Sequence, residues 1–152
     1  MPRTKIVADA VLLIRISAFA AIVPLLTRLP IRQLEALMEP AHPNHAIDPD
    51  LAERIIRYTD LVCRLGRRLI ARLCLTRGLT LFYFLRRAGV NASLVFGAGT
   101  VRDDFAGHCW LVRNGEPYLE KVDPRTLFTP VYSFRGFHAK GIGSQPAGET
   151  RG

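Results

Sequence analysis

The stretch that decides the fold is Cys74-Leu-Thr-Arg-Gly-Leu-Thr-Leu-Phe-Tyr-Phe-Leu-Arg-Arg-Ala-Gly89, an apolar run that begins with a cysteine and ends with a glycine. Its composition predicts a helix, with Gly89 in the left-handed conformation that often ends one. Two strand-like runs follow, Gly107-His-Cys-Trp-Leu-Val112 and Leu119-Glu-Lys-Val-Asp123. Asn114-Gly115 lies between them and predicts a tight hairpin, because both central residues must take positive φ. Helices followed by strands predict an α+β fold, with the helix from Cys74 packed on an antiparallel sheet.

Upstream of this stretch the chain reads as three helices. Residues 1–28 look helical, and a short helix is predicted over Ile31–Met38. His42 and His45 then lie in a proline- and asparagine-containing loop with no third ligand nearby, so no metal site is predicted. Asp48 and Pro49 are typical of a helix N-cap and first turn, and Gly66 bends or ends the helix that they begin.

The division of the chain that follows has three parts. Residues 1–46 form an N-terminal helical segment, residues 47–134 form the core domain, and residues 135–152 form a flexible tail rich in glycine. Within the core, Ala92–Phe96 alternate as in a strand, and Gly97-Ala98-Gly99 is expected to be a flexible connection.

Composition narrows the class of protein. The chain has 152 residues, of which 49% are hydrophobic, so one compact domain with a real core is expected. The net charge of +8 indicates an acidic peptide, a membrane surface or nucleic acid as partner, or only a basic surface. Three irregularly spaced cysteines argue against a disulfide framework and favour a reducing compartment.

The apolar run Val11–Leu26 contains Arg15 and Pro24 and is shorter than a membrane span requires. Arg15 inside the apolar centre and the free-thiol chemistry expected downstream argue against a secretory signal. An amphipathic helix that packs on the domain, a partner or a membrane surface is the preferred interpretation.

Cysteine at a helix start, histidine on a strand and a nearby carboxylate are the parts of cysteine acyl-transfer chemistry. An ideal hairpin pairs Trp110 with Leu119 and His108 with Lys121, which places Asp123 on the face of His108. Glu120 then lies on the opposite face beside Cys109. The predicted triad is therefore Cys74, His108 and Asp123, with Glu120 as the alternative acid, since one bulge would reverse the choice.

The helix N-terminus alone cannot lower the Cys74 pKa far enough for this chemistry. A helix N-terminus lowers a thiol pKa by roughly one unit, so an imidazolium contact from His108 must supply the rest. Cys63 and Cys109 are expected to be packing residues. Arg77 and Trp110 are the candidate substrate-binding residues. A salt bridge that orders the site is the alternative for Arg77, and core packing is the alternative for Trp110.

The motifs Cys74-Leu-Thr-Arg-Gly-Leu, Leu85-Arg-Arg-Ala-Gly89-Val, Phe96-Gly97 and Phe105-Ala-Gly-His108-Cys-Trp resemble the transglutaminase-like leader peptidases of lasso peptide biosynthesis. The resemblance covers residues 51–134. Family members commonly show His-Ala-Trp followed by Val-Glu, whereas here Cys109 replaces the alanine and Val112 the glutamate.

The resemblance implies a papain-like cysteine peptidase of the split form, which lacks its own recognition domain. Such an enzyme cuts the leader from a ribosomal precursor peptide through a thioester at the cysteine. It implies a small recognition partner that delivers the leader, a separate ATP-dependent cyclase, no metal or organic cofactor, and no nucleic acid. The expected location is cytoplasmic, with peripheral membrane contact through the first helix.

Two alternatives stay open at this level. An amidase, acyltransferase or transglutaminase would share the nucleophile and base and differ in the acceptor. A non-enzymatic basic module bound to membrane or nucleic acid would need no reactive cysteine.

Overall fold

A computed structural model describes residues 2–40, 46–70 and 72–134. His42, His45 and the tail predicted over residues 135–152 lie outside these ranges. In the described part, four helices precede a four-stranded antiparallel sheet. The elements are α1 (Pro2–Leu26), α2 (Ile31–Met38), α3 (Pro49–Leu65), α4 (Leu73–Arg87), β1 (Ser93–Val101), β2 (Asp104–Arg113), β3 (Glu116–Tyr118), a short 3-10 turn (Pro124–Thr126) and β4 (Phe128–Phe134).

The helix that carries the cysteine lies at the centre of the fold. One side of α4 packs on β2 and β1, and the other sides contact α3 and α1. Leu79, Leu81, Phe82 and Leu85 are fully buried because the sheet and the helices α3 and α1 cover α4. The predicted packing of this helix on an antiparallel sheet is therefore confirmed.

Local signals for the helix ends are confirmed by the structure. The Asp48 side chain accepts a hydrogen bond from the Leu51 N–H at 2.9 Å, and Pro49 is the first residue of α3. Gly66 ends α3 and does not bend it. Gly89 follows α4 with a φ of 85°, a conformation that costs little only for glycine.

The expected flexible connection at Gly97-Ala98-Gly99 is wrong. These residues lie inside β1, where the register with β4 shifts between Phe96 and Gly97. A Cβ at Gly97 would come within 2.6 Å of the Trp110 ring. The glycine therefore marks a close approach between neighbouring strands, which sequence reasoning mistook for flexibility. The partner strand β4 was not predicted.

The Asn114-Gly115 hairpin is confirmed, with φ of 53° and 83° at the two turn residues. Arg113 pairs with Glu116 and Val112 with Pro117, as the ideal register requires. The ladder then ends at Tyr118, so the predicted pairs beyond it are wrong: Trp110 does not face Leu119, and His108 does not face Lys121. Leu119 has a φ of 64°, which turns the chain out of the sheet.

Candidate active site

The cysteine lies at the second residue of α4, at the wall of an open cleft of about 930 Å³. Its position in the first turn leaves its backbone N–H without a partner inside the helix. The Cys74 thiol is partly buried and lies next to the His108 imidazole on the same cleft, close enough for each group to shift the pKa of the other. The structure thus brings together the predicted nucleophile and base, from a helix and a strand 34 residues apart in sequence.

His108 is held in place by aromatic packing. Its ring lies on the same side of β2 as Trp110, with ring centroids 6.0 Å apart and planes inclined by 18°. Phe128 contacts the histidine ring at 5.2 Å between centroids. Trp110 is only 1% exposed and is not among the residues that line the cleft, so it lies behind the histidine in the core.

The carboxylate beside His108 belongs to Glu120. Glu120 Oε2 lies 3.5 Å from His108 Nε2, and its side chain is 18% exposed. The left-handed Leu119 reverses the alternation of side chains expected for a continuing strand, and this turns Glu120 toward the histidine.

Asp123, the predicted partner of His108, lies elsewhere. Its side chain accepts from the Arg125 backbone N–H at 2.9 Å and forms an ion pair with the Arg125 guanidinium at 2.7 Å. These bonds to Arg125 lower the pKa of the Asp123 carboxyl. The preference for Asp123 over Glu120 as neighbour of His108 was wrong, because it assumed an unbroken strand through Leu119.

Arg77 links α4, α3 and the segment after β3 around Glu120. Its Nε donates to Asp60 Oδ1 on α3 at 2.8 Å, and its Nη1 lies 3.5 Å from Glu120 Oε1. Its Nη2 also donates to the Leu119 carbonyl oxygen at 3.3 Å. The guanidinium therefore stabilises the turn that places Glu120 next to His108. The geometry matches the salt-bridge role considered for Arg77. Asp60 was missed, since a lone acid in an amphipathic helix carries no distinguishing signal.

Cys109 does more than pack. It lies on the α4 side of β2, and its thiol donates to the Cys74 carbonyl oxygen at 3.1 Å. A Cβ at Gly78 would lie 2.9 Å from the Cys109 sulfur, so the glycine permits this close approach. The nearby Cys74 thiol and, after it, burial raise the pKa of the Cys109 thiol, which stays protonated. Cys63 is buried in α3, and desolvation raises the pKa of its thiol.

The Cys74 pKa is lowered to about 4, by the Cys109 thiol first and then by His108, with a further contribution from the Leu75 N–H. The contact with Cys74 raises the pKa of His108, which favours a thiolate–imidazolium pair. A thiol has a single, weakly donating proton, and Cys109 already directs it to the Cys74 carbonyl. We therefore regard the charged imidazole as the main stabiliser of the thiolate.

A cysteine thiolate beside a histidine that faces a carboxylate defines a site of the cysteine acyl-transfer class. The family model of the transglutaminase-like superfamily matches residues 11–133. The chain therefore belongs to the transglutaminase-like superfamily, whose members are often cysteine peptidases or transferases. The α+β fold agrees with this assignment. No curated protein and no solved structure matches the chain significantly.

Proposed function

We propose that this protein is a cysteine peptidase that removes the leader from a lasso precursor peptide, with Cys74, His108 and Glu120 as its catalytic triad. The observation that carries the proposal is the contact of the half-buried Cys74 thiol with His108, beside Glu120, at an open cleft. The lasso assignment rests on the ordered motifs around Cys74, Gly89 and His108.

In the proposed reaction the Cys74 thiolate attacks the carbonyl carbon of the scissile peptide bond. The oxyanion that forms can accept from the unpartnered Cys74 N–H at the start of α4. The His108 imidazolium gives its proton to the leaving amine, and the C–N bond breaks to leave a thioester. His108 then takes a proton from water, which hydrolyses the thioester and regenerates Cys74.

Glu120 would keep the histidine oriented and stabilise its charged form during both proton transfers. Its Oε2 faces Nε2 of His108, which leaves Nδ1 for exchange with the cysteine. Arg77 would act as a positioning residue through Glu120 and the Leu119 carbonyl.

The charges of the cleft support a peptide with acidic residues as substrate. Three acids that line it are engaged by the protein itself: Asp60 by Arg77, Glu120 by Arg77 and His108, and Asp123 by Arg125. Three bases also line the cleft, and within the described ranges none of them takes part in an ion pair: Arg64, Arg67 and Lys121. An acidic leader segment would find unpaired positive charge beside the nucleophile.

A small recognition protein that delivers the leader and a cyclase that takes the freed core peptide complete the proposed pathway. The described cysteines are all free, and a thiolate nucleophile needs a reducing compartment to stay so. We accordingly propose a cytoplasmic location.

The test is cleavage of a lasso precursor, mixed with its recognition partner, followed by mass spectrometry. We expect separate leader and core peptides from the native enzyme and only intact precursor from Cys74→Ala and His108→Ala. Cys63→Ala is the matched control, since this buried cysteine lies on α3 outside the triad, and it should cut normally. Undiminished cleavage by Cys74→Ala would rule out the mechanism. Transfer of the leader acyl group to added glycine amide in preference to water would indicate an acyltransferase.

A further inference from the structure

The outward face of α1 between Ile6 and Leu25 is mostly apolar, with Arg15 as an exposed charge within it. Its large side chains are 45% to 67% exposed, whereas the opposite face of the same helix is buried. The segment Lys5–Leu26 is long and apolar enough to cross a membrane by length and composition. The exposed large apolar residues of α1 are Ile6, Val7, Val11, Ile14, Ile22 and Leu25.

The buried face shows that α1 belongs to the domain. Ile16 and Val23 have 0% and 1% exposure. The Phe19 ring stacks on Tyr83 of α4 with centroids 4.4 Å apart. A helix that crossed a bilayer would have to leave these contacts. One that lies in the plane of the membrane surface keeps them and covers its outer face.

The exposed charges on and near this apolar face are positive. Between residues 5 and 37 the exposed charged residues are basic: Lys5, Arg15, Arg28 and Arg32. The only two acids of that stretch are Asp9 and Glu35. Asp9 pairs with Arg54 on α3 at 2.7 Å, and Glu35 accepts from the Tyr132 hydroxyl at 2.8 Å. Basic residues around an apolar helix face suit an anionic lipid surface.

The remainder of the chain offers little that could cover the face instead. The C-terminal segment 135–152 contains two large apolar residues, Phe137 and Ile142, among glycines and polar residues. We propose that α1 is a peripheral membrane anchor that lies in the plane of an anionic lipid surface. This inference does not depend on the peptidase activity.

The experiment is co-sedimentation of the full chain with vesicles of phosphatidylcholine containing about 30% anionic phosphatidylglycerol, whose charge attracts basic residues near the surface. We expect binding that weakens as salt rises and is much weaker on pure phosphatidylcholine. Ile14→Asp should reduce partitioning about tenfold or more, because a large apolar side chain is removed from the contact and replaced by a charge. Fluorescence of Ile14→Trp should be quenched by brominated acyl chains, which reports insertion below the headgroups.

Val131→Asp is the matched control. Val131 is 65% exposed against 67% for Ile14, but it lies on β4. It should leave vesicle binding unchanged, and circular dichroism would verify that both variants fold. Absence of binding to anionic vesicles, equal binding by Ile14→Asp, or a concentration-dependent dimer that Ile14→Asp abolishes would each overturn the proposal. So would a partner protein that covers α1 and prevents vesicle binding.

Discussion

Glu120 and Asp123 are three residues apart, yet they lie in opposite settings. Glu120 is on the inner wall of the cleft, between His108 and Arg77. Asp123 is at the outer rim, where it caps the 3-10 turn and pairs with Arg125. The inner acid faces a histidine whose charge would change in the proposed reaction, whereas the outer acid faces a permanent cation. Proximity in sequence and equal chemical type therefore say little about which carboxylate can assist the histidine.

The largest expected effect separates the two acids. Glu120→Gln should lower kcat/KM by about 10²–10⁴, because an amide cannot stabilise the imidazolium. Asp123→Asn should stay within about twofold of the native enzyme, since its carboxylate does not contact His108. Initial rates of precursor cleavage measure both. The reverse order would mean that the segment after Tyr118 rearranges when substrate binds.

The pH dependence of thiol labelling tests the inner setting without a substrate. With the Cys74 pKa near 4 and that of His108 raised, Cys74 should react with iodoacetamide from about pH 4 upward. His108→Ala should shift the onset of labelling to higher pH, toward the ordinary thiol pKa of 9.0, and slow labelling at pH 6 by about tenfold or more. Peptide mapping of the labelled cysteine gives the rates.

Two controls accompany this measurement. Cys109→Ala should shift the onset of labelling less than His108→Ala does, because the Cys109 thiol proton is directed at the Cys74 carbonyl. A larger shift would make Cys109 the main stabiliser of the Cys74 thiolate. Asp123→Asn should not change the pH at which labelling begins.

The same lowered pKa makes stability depend on pH. Because folding lowers the Cys74 pKa, the stability that the thiolate contributes is complete above the pKa of the unfolded thiol and is lost as pH falls through about 4.

The two arginines offer a smaller contrast. Arg77→Met should lower kcat by about tenfold with little change in KM, because it releases Glu120 and the Leu119 carbonyl while leaving the triad present. Its effect should be less than additive with Glu120→Gln in a double-mutant cycle. Arg125→Met, which releases only Asp123 and Glu116, should leave cleavage near the native rate. An Arg77→Met effect confined to KM would instead indicate direct substrate binding.

The smallest expected effect is on the free energy of unfolding, for a substitution at Leu119, whose left-handed conformation decides which acid faces His108. Leu119→Ile keeps the side-chain volume but places a branched Cβ at a φ of 64°, which should cost about 1–3 kcal/mol. The control Leu111→Ile, the same volume-conserving exchange on the regular part of the hairpin, should cost less than about 1.5 kcal/mol. Urea unfolding of both variants measures the difference. Equal costs would show that the left-handed turn carries no strain of its own.

Much of this molecule is determined by the sequence alone, where the signal is local. Asp48-Pro49 begins α3, Gly89 ends α4 and Asn114-Gly115 makes the hairpin, because each depends on the backbone conformations of a few adjacent residues. The Cys74 and His108 pair was also predictable, since a cysteine at a helix start and a histidine on the strand beneath it are specified by element type and order.

Tertiary structure alone decided the third member of the site and its support. Which carboxylate reaches His108 depends on the left-handed Leu119, and Leu119 is non-glycine and gives no sign of that conformation in sequence. The turn is secured by Arg77, which donates to its carbonyl and pairs with Asp60 on a different helix. Likewise, Gly97 looks like a flexible point in sequence and Gly78 gives no signal inside its predicted helix, yet the two glycines permit close contacts with Trp110 and Cys109. Such choices follow from contacts between distant segments, whose energies exceed the local preferences from which sequence patterns are read.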